Sequence, residues 1–334
     1  MIMKQENVTS TSPRNQSMDL LRILACIGVI IVHASGGVIA QKYVVDRESI
    51  EWLYCGIICN LFRWSVPIFV MITGFFFLKP EKELTIKKLY GKYILRLVIS
   101  LIFWTWFYAV TLHCRYTCFY PFGGQDNNFW YVGMCIGLYI SMPVLKAIAA
   151  DEKLLSYSCW TWLFIRIYLD LGKYVELPIV ITDYVFTGYV GYCLWGYYLS
   201  VIKLNRCKVR IVYFVGLLSL AATLFLPRLT NGKVRISMED PAIILTTIAL
   251  FLFVIKHPIR LSPKFEKVIL HLSGMTFGIY MVHTFVIYET FTRLYRFVPN
   301  VYLFLPLTII VTFVLSYSII FVIKQIPLLK KWVV

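Results

Sequence analysis

The sequence predicts an all-α fold: a polytopic membrane helical bundle of about ten transmembrane helices, with both termini cytoplasmic. Three observations carry that expectation. The 334 residues are 59% hydrophobic and only 15% charged, below the charged share of a soluble domain, and mean hydropathy is +0.73. Apolar runs of membrane length recur along the whole chain. Lysine and arginine are spread unevenly over the connections between those runs, as orientation in a bilayer requires.

The first span reads 19–38, with Ser17 as candidate N-cap and Asp19 in its first turn. Nine more follow at 52–78, 92–112, 128–149, 156–169, 184–201, 211–227, 241–255, 268–289 and 301–323. The fifth is short and carries Arg166 near its end. With the N-terminus inside, the inner connections hold twenty basic residues against six acidic ones, and the outer connections hold ten of each. That bias places both termini in the cytoplasm. It also accounts for most of the net charge of +16. Residues 1–18 read as a short polar cytoplasmic tail without the pattern of a cleaved signal peptide. Residues 19–334 read as one transmembrane domain, with no soluble module and no internal repeat. No base-reading element accompanies the basic loops, which excludes nucleic acid as a partner; membrane lipid surrounds the chain.

Nine cysteines form no framework. Most fall inside spans as packing residues, and Cys55 and Cys59 lie one helical turn apart. Cys114 and Cys118 share an outer loop and could pair in an oxidising compartment. No Cys–His spacing fits a zinc site, so no metal is expected.

Chemistry concentrates on the polar residues inside spans, where titratable groups are costly to place. Arg22 and His33 are eleven residues apart on the first span. About 1,100° of helical rotation leaves them about 20° apart on one face and about 16 Å apart along the axis, suggesting a polar path through the bilayer. Asp19, three residues before Arg22, can pair with it. Arg63 lies near mid-depth of the second span, too far from either end to snorkel, so it needs a cavity, an acid or a bound anion. Pro67 breaks the hydrogen-bond ladder of that span, and Thr73–Gly74 offers a small surface for close approach. In the ninth span Tyr280 and His283 share a face, and His283 falls at a depth comparable to His33. His113, His257 and His271 sit at span ends and read as interfacial.

Four segments carry a family resemblance in order: MDLLRILACIGVIIVHAS with its arginine–ten residues–histidine spacing, RWSVPIFVMITGFFFLK, NNFWYVGMCIGLYISMPVL and SGMTFGIYMVHTFVIY. Together they resemble the acyltransferase-3 family of ten-span membrane acyltransferases over nearly the whole length. That group includes O-acetyltransferases of bacterial surface polysaccharides and the membrane part of vancomycin-resistance serine racemases. The chain departs from it at Asn128-Phe129-Trp130, where the family has His-Leu-Trp, and at Thr73-Gly74, where Ser-Gly is usual. Asn128 can hydrogen-bond a sugar but cannot shuttle protons.

The resemblance implies a bacterial inner- or plasma-membrane enzyme that moves an acyl group from cytoplasmic acyl-CoA, acetyl-CoA foremost. The acceptor would be a hydroxyl of an outward-facing lipid-linked glycan or polysaccharide. Arg22, with Asp19, would meet the donor phosphates. His33 would act as general base. Arg63, Tyr280 and His283 would stabilise the tetrahedral oxyanion or orient the acceptor, and Asn128 and Trp130 would contact its sugar. A transporter or polysaccharide exporter without acyl-transfer chemistry is the competing reading. Against it, the chain shows neither an inverted repeat nor paired Gly- or Pro-interrupted spans.

Overall fold

A computed structural model describes residues 15–39, 49–111, 129–175, 188–230, 236–294 and 296–334, and among them every regular element is helical. Helix α1, Gln16–Val32, runs straight into a π-helical stretch, His33–Ile39. Its cap is Asn15, whose side chain accepts from Met18 N at 3.1 Å. Ser17, expected as the cap, is already helical, and its Oγ accepts instead from Ile259 N at 2.8 Å. The expected polar tail therefore becomes helical at Gln16.

The second apolar stretch is two helices, α2 (Ile50–Leu61) and α3 (Ser65–Phe77), separated at residues 62–64. Pro67 supplies the reason: it has no N–H for the Arg63 carbonyl, so the interruption falls just before it. After α3, a single turn capped by Thr85, Ile86–Lys88, and a π-helical stretch, Leu89–Ile94, lead into α4, Leu95–Thr111. The chain continues through α5 (Trp130–Ala150), α6 (Glu152–Val175), α7 (Val190–Val201), α8 (Arg206–Leu229) and α9 (Pro241–Lys256). It ends with α10 (Pro263–Ser273), α11 (Thr276–Leu294), α12 (Val301–Ile323) and α13 (Pro327–Trp332).

Among the described residues six stretches are long and apolar enough to cross a membrane. They are Gln16–Gly36, Ile50–Phe77, Ile86–Thr111, Trp130–Ala150, Arg206–Leu229 and Val301–Ile323. The pair α10–α11, bent by 56° between its halves, adds a seventh when taken as one span. Three helices that the sequence reads as spans fall short of the same measure. Helix α7 has 12 residues and α9 has 16, whereas α6 is long but carries Arg166 and Asp170.

Contacts between distant helices constrain how these pieces alternate. Arg22 meets Ser273, Cys26 Sγ donates to the Thr276 carbonyl, and His33 meets His283. The offset stays near 250 residues throughout, so α1 and α10–α11 run parallel. Parallel spans need an odd number of crossings between them. The long stretches between them number four among the described residues, an even count, so among the described helices the balance falls to an odd number of α6, α7 and α9.

One end of the bundle collects the basic connections. There Ser17 and Gln16 bind Ile259 N and Leu261 N, and Lys324 Nζ donates to Gly274 O. Arg96 and Ser100 hold the carbonyls of Val334 and Val333. Lys146 Nζ donates to the Lys79 and Lys82 carbonyls at 2.9 and 2.6 Å, clamping the turn after α3. Both described chain ends thus lie at the same end of the molecule. The close contact of α3 with α7 depends on two glycines: a Cβ at Gly74 would overlap the Cys193 carbonyl, and one at Gly196 would overlap that of Met71.

Candidate active site

Helix α1 carries the expected stripe. Arg22 and His33 lie on one face of a continuous helix, and each meets the paired helix α10–α11 at its own depth. At the lower level Ser273 Oγ donates to Asp19 Oδ1 at 2.6 Å, and Arg22 Nη1 lies 3.3 Å from Ser273 Oγ and 3.4 Å from Asp19 Oδ1. Asp19 is buried, whereas the Arg22 side chain keeps 30% of its surface exposed. The pairing expected of Asp19 and Arg22 is therefore bridged by a serine from the bend between α10 and α11, next to Gly274. The sequence signal was that serine–glycine pair inside an otherwise apolar run.

At the upper level the imidazoles of His33 and His283 meet edge to face, with ring centroids 5.0 Å apart at 61°. Their comparable depth was legible in the sequence; their contact follows from the parallel register of α1 and α11. His33 opens the π-helical stretch, a local irregularity common at functional sites. His283 is 1% exposed. Its Nδ1 lies 2.5 Å from the Tyr280 carbonyl oxygen. A carbonyl only accepts, so the proton of the neutral ring belongs on Nδ1, an assignment that follows from the hydrogen-bond network. Nε2 is then a bare lone pair, buried without a hydrogen-bond partner among the described residues. In this tautomer the Nε2 atom of His283 is an acceptor and has no proton to donate.

Tyr280 is buried, its ring 5.4 Å from His283 and 5.1 Å from Tyr131. Trp130, the first residue of α5, lies against Tyr189 at 5.6 Å and Tyr131 at 6.2 Å, so an aromatic file approaches the histidines from α5. Asn128, Cys114, Cys118 and His113 lie outside the described residues. Arg63 sits in the break between α2 and α3 and donates Nε to Asn60 Oδ1 at 2.8 Å. That contact is local, and it does not tie Arg63 to the histidine pair. Its neighbours Phe62 and Ser65, however, line a void beside His33. His257 and His271 are exposed, and His271 Nε2 lies 3.0 Å from Tyr317 Oη, as suits residues at span ends.

The void is small, about 10 Å³, lined by Val29, Val32, His33, Phe62, Ser65, Val66 and Met238, roughly the room one water needs. Arg22 is not part of its lining. Between the two levels α1 presents Cys26, Val29 and Ile30, all buried, so the polar path expected from the sequence is closed by packing in this conformation. Met238 covers the void from a segment ahead of α9 that sequence reading passed over. That segment is fastened firmly. Arg166, expected only as a residue at a span end, is 8% exposed and pairs with Glu239 Oε2 at 2.9 Å while donating twice to the Glu239 carbonyl. Tyr192 Oη donates to the Met238 carbonyl at 2.5 Å, and Asp240 accepts from Ser237.

At the basic end, Lys82 Nζ stands 3.9 Å from the centroid of the Phe77 ring. Partial burial holds its ammonium below the ordinary lysine range, and the like charges of Lys88, Lys146 and Lys92 push the same way. These four lysines concentrate positive charge at that end of the bundle.

A family model described as an acyltransferase domain matches residues 15–322. Comparison with curated proteins and with solved structures gives no match.

Proposed function

The chain belongs to the acyltransferase-3 family, and on that footing we propose that this membrane acyltransferase is an O-acyltransferase, most simply an O-acetyltransferase. It takes its acyl group from cytoplasmic acyl-CoA and passes it to a hydroxyl of an outward-facing lipid-linked glycan or polysaccharide of the cell envelope. It does so as a ten-span protein of the bacterial inner or plasma membrane, with both ends cytoplasmic. The observation that carries this reading is the two-level contact of α1 with α10–α11: a cation–carboxylate–serine group below and paired imidazoles above.

The donor's phosphates meet Arg22, backed by Asp19, and the lysines of the basic end; guanidinium and ammonium groups suit phosphate. The extended arm of the donor passes up the α1 stripe and presents its thioester at His33. Because that stripe is packed by Cys26, Val29 and Ile30, the helices part to admit it, and the interruptions at residues 62–64 and between α10 and α11 are where they yield. His33 takes the proton of the acceptor hydroxyl, which attacks the thioester carbonyl. Arg63 and Tyr280 face the developing oxyanion. Asn128 and Trp130 hold the acceptor sugar at the outer end, and Met238 shields the site until that acceptor arrives.

The test is transfer itself. Purified protein in lipid nanodiscs with radiolabelled acetyl-CoA should move label onto a glycan-bearing envelope fraction. Absence of transfer, together with uptake of small solutes into protein-containing liposomes, would favour the transporter reading and end this one.

A further inference from the structure

Tyr108, at the outer part of α4, does something unusual to α11. Its hydroxyl accepts from Phe285 N at 3.0 Å and lies 3.1 Å from the Met281 carbonyl. Those two groups are four residues apart, the pair that closes one turn of an α-helix. The hydroxyl is therefore wedged across a rung of the ladder, with Thr284 Oγ1 at 2.6 Å as its third partner. A hydroxyl bound to both ends of a rung fixes the orientation of that turn against α4. The helix stays regular across Thr276–Leu294, and the turn that the hydroxyl contacts is the one that contains His283. Tyr108 is itself 8% exposed and boxed in by the rings of Phe129 at 5.2 Å and Phe285 at 6.2 Å, so the wedge is fixed rather than adventitious.

We propose that His283 is the positioning residue of the base His33, and that Tyr108 positions His283 in turn. The inference rests on the acyl-transfer reading above and assigns His283 a different part from oxyanion stabilisation. Its Nδ1–H is committed to the Tyr280 carbonyl and its Nε2 lone pair has no partner of its own, while the His33 ring stands edge to face against it. In the reacting conformation that lone pair accepts the N–H of His33, a small rotation of the ring away from the edge-to-face contact seen here. It selects the His33 tautomer whose other nitrogen is bare and free to act as base, the task a carboxylate performs in a Ser-His-Asp triad. In the reaction the hydroxyl proton moves to that bare nitrogen as the C–O bond forms. The positive charge is then shared across the hydrogen bond to His283. The C–S bond breaks and the proton leaves on the CoA thiolate, returning both rings to their starting state.

Nitrogen NMR on ¹⁵N-histidine-labelled wild type in lipid bilayers reads the arrangement directly, with signals assigned by single His substitutions. The expected spectrum has His283 protonated at Nδ1 and bare at Nε2; a protonated Nε2 overturns the pairing whatever the activity. Kinetically, His33→Ala and His283→Ala each lower kcat about 100-fold, with donor KM within about twofold, and the double variant falls no further than either single because the two act as one unit. Losses that multiply overturn the proposal. Tyr108→Phe keeps the ring and removes only the wedge. It is expected to lower kcat about tenfold and to mix the His283 tautomers in the spectrum; a wild-type spectrum and rate in that variant removes Tyr108 from the chain of positioning. Donor binding, measured with CoA, separates these effects from misfolding, and if His283→Ala does not fold, the wild-type and Tyr108→Phe spectra decide. An inert wild type overturns the proposed function instead, and leaves the tautomer result standing.

Discussion

At the scale of single residues, a membrane interior makes every polar side chain informative, because each must find a partner or a use. Arg22 and His33 were legible for that reason, and so was His283. For the base, His33→Ala should lower kcat about 100-fold while CoA binding persists; full activity in that variant would remove His33 from the mechanism. Arg22→Ala should raise the donor KM about tenfold or more, the loss of one charge-assisted contact, and an unchanged KM would move the phosphates elsewhere. Lys82 makes a separate prediction. Its ammonium is held below the usual lysine range by burial and by Lys88, Lys146 and Lys92, so a larger share is neutral at a given pH. An amine-acylating reagent should therefore label Lys82 at a lower pH than it labels a free lysine side chain, and bound CoA should suppress that labelling. Ser273, Tyr108 and Met238 were not legible. A serine, a tyrosine and a methionine in apolar surroundings are ordinary in sequence, and only register across 170 or more residues gives Tyr108 and Ser273 their partners.

Among the elements, helix existence followed from apolar run length, and several helix ends lie five or six residues from those expected from composition, as at Val175, Val190 and Arg206. Interruptions were harder. Pro67 announced the break between α2 and α3 but not its place, since the lost hydrogen bond belongs to the carbonyl four residues earlier. The bend between α10 and α11 sits at Ser273-Gly274, too short a signal to outweigh the apolar residues around it. Packing at the glycines of α3 and α7 gives an element-scale test. Gly196→Leu should cost at least about 1–3 kcal/mol by overpacking against the Met71 backbone, read as a lower melting temperature in detergent. Gly137→Ala, with no atom within 4 Å of the added carbon, should leave the melting temperature nearly unchanged; equal shifts would mean that α3 and α7 do not approach closely. The segment over the void offers another. Arg166→Met removes the anchor of Glu239, and hydrogen exchange of the backbone at residues 236–240 should accelerate while α7 stays protected. Unchanged exchange would assign the anchoring to Tyr192.

For the whole molecule, charge bias predicted that the basic connections share a side, and the structure gathers them with both described chain ends at one end of the bundle. Cys207 is exposed at the start of α8, among Arg206, Lys208 and Arg210. In cells, a membrane-impermeant maleimide should label it only after the inner face is opened; labelling of intact cells would invert the orientation. The same global view fixes the order in which the protein comes to exist. Arg22 and His33 leave the ribosome early, whereas Ser273 and His283 follow only after some 240 further residues. For most of its synthesis the nascent chain therefore carries its costliest intramembrane groups without the partners that settle them. A chain stalled ahead of residue 263 should be extracted and degraded faster than one stalled beyond α11, which makes the completion of the α10–α11 pair the step at which the newborn protein becomes safe from quality control.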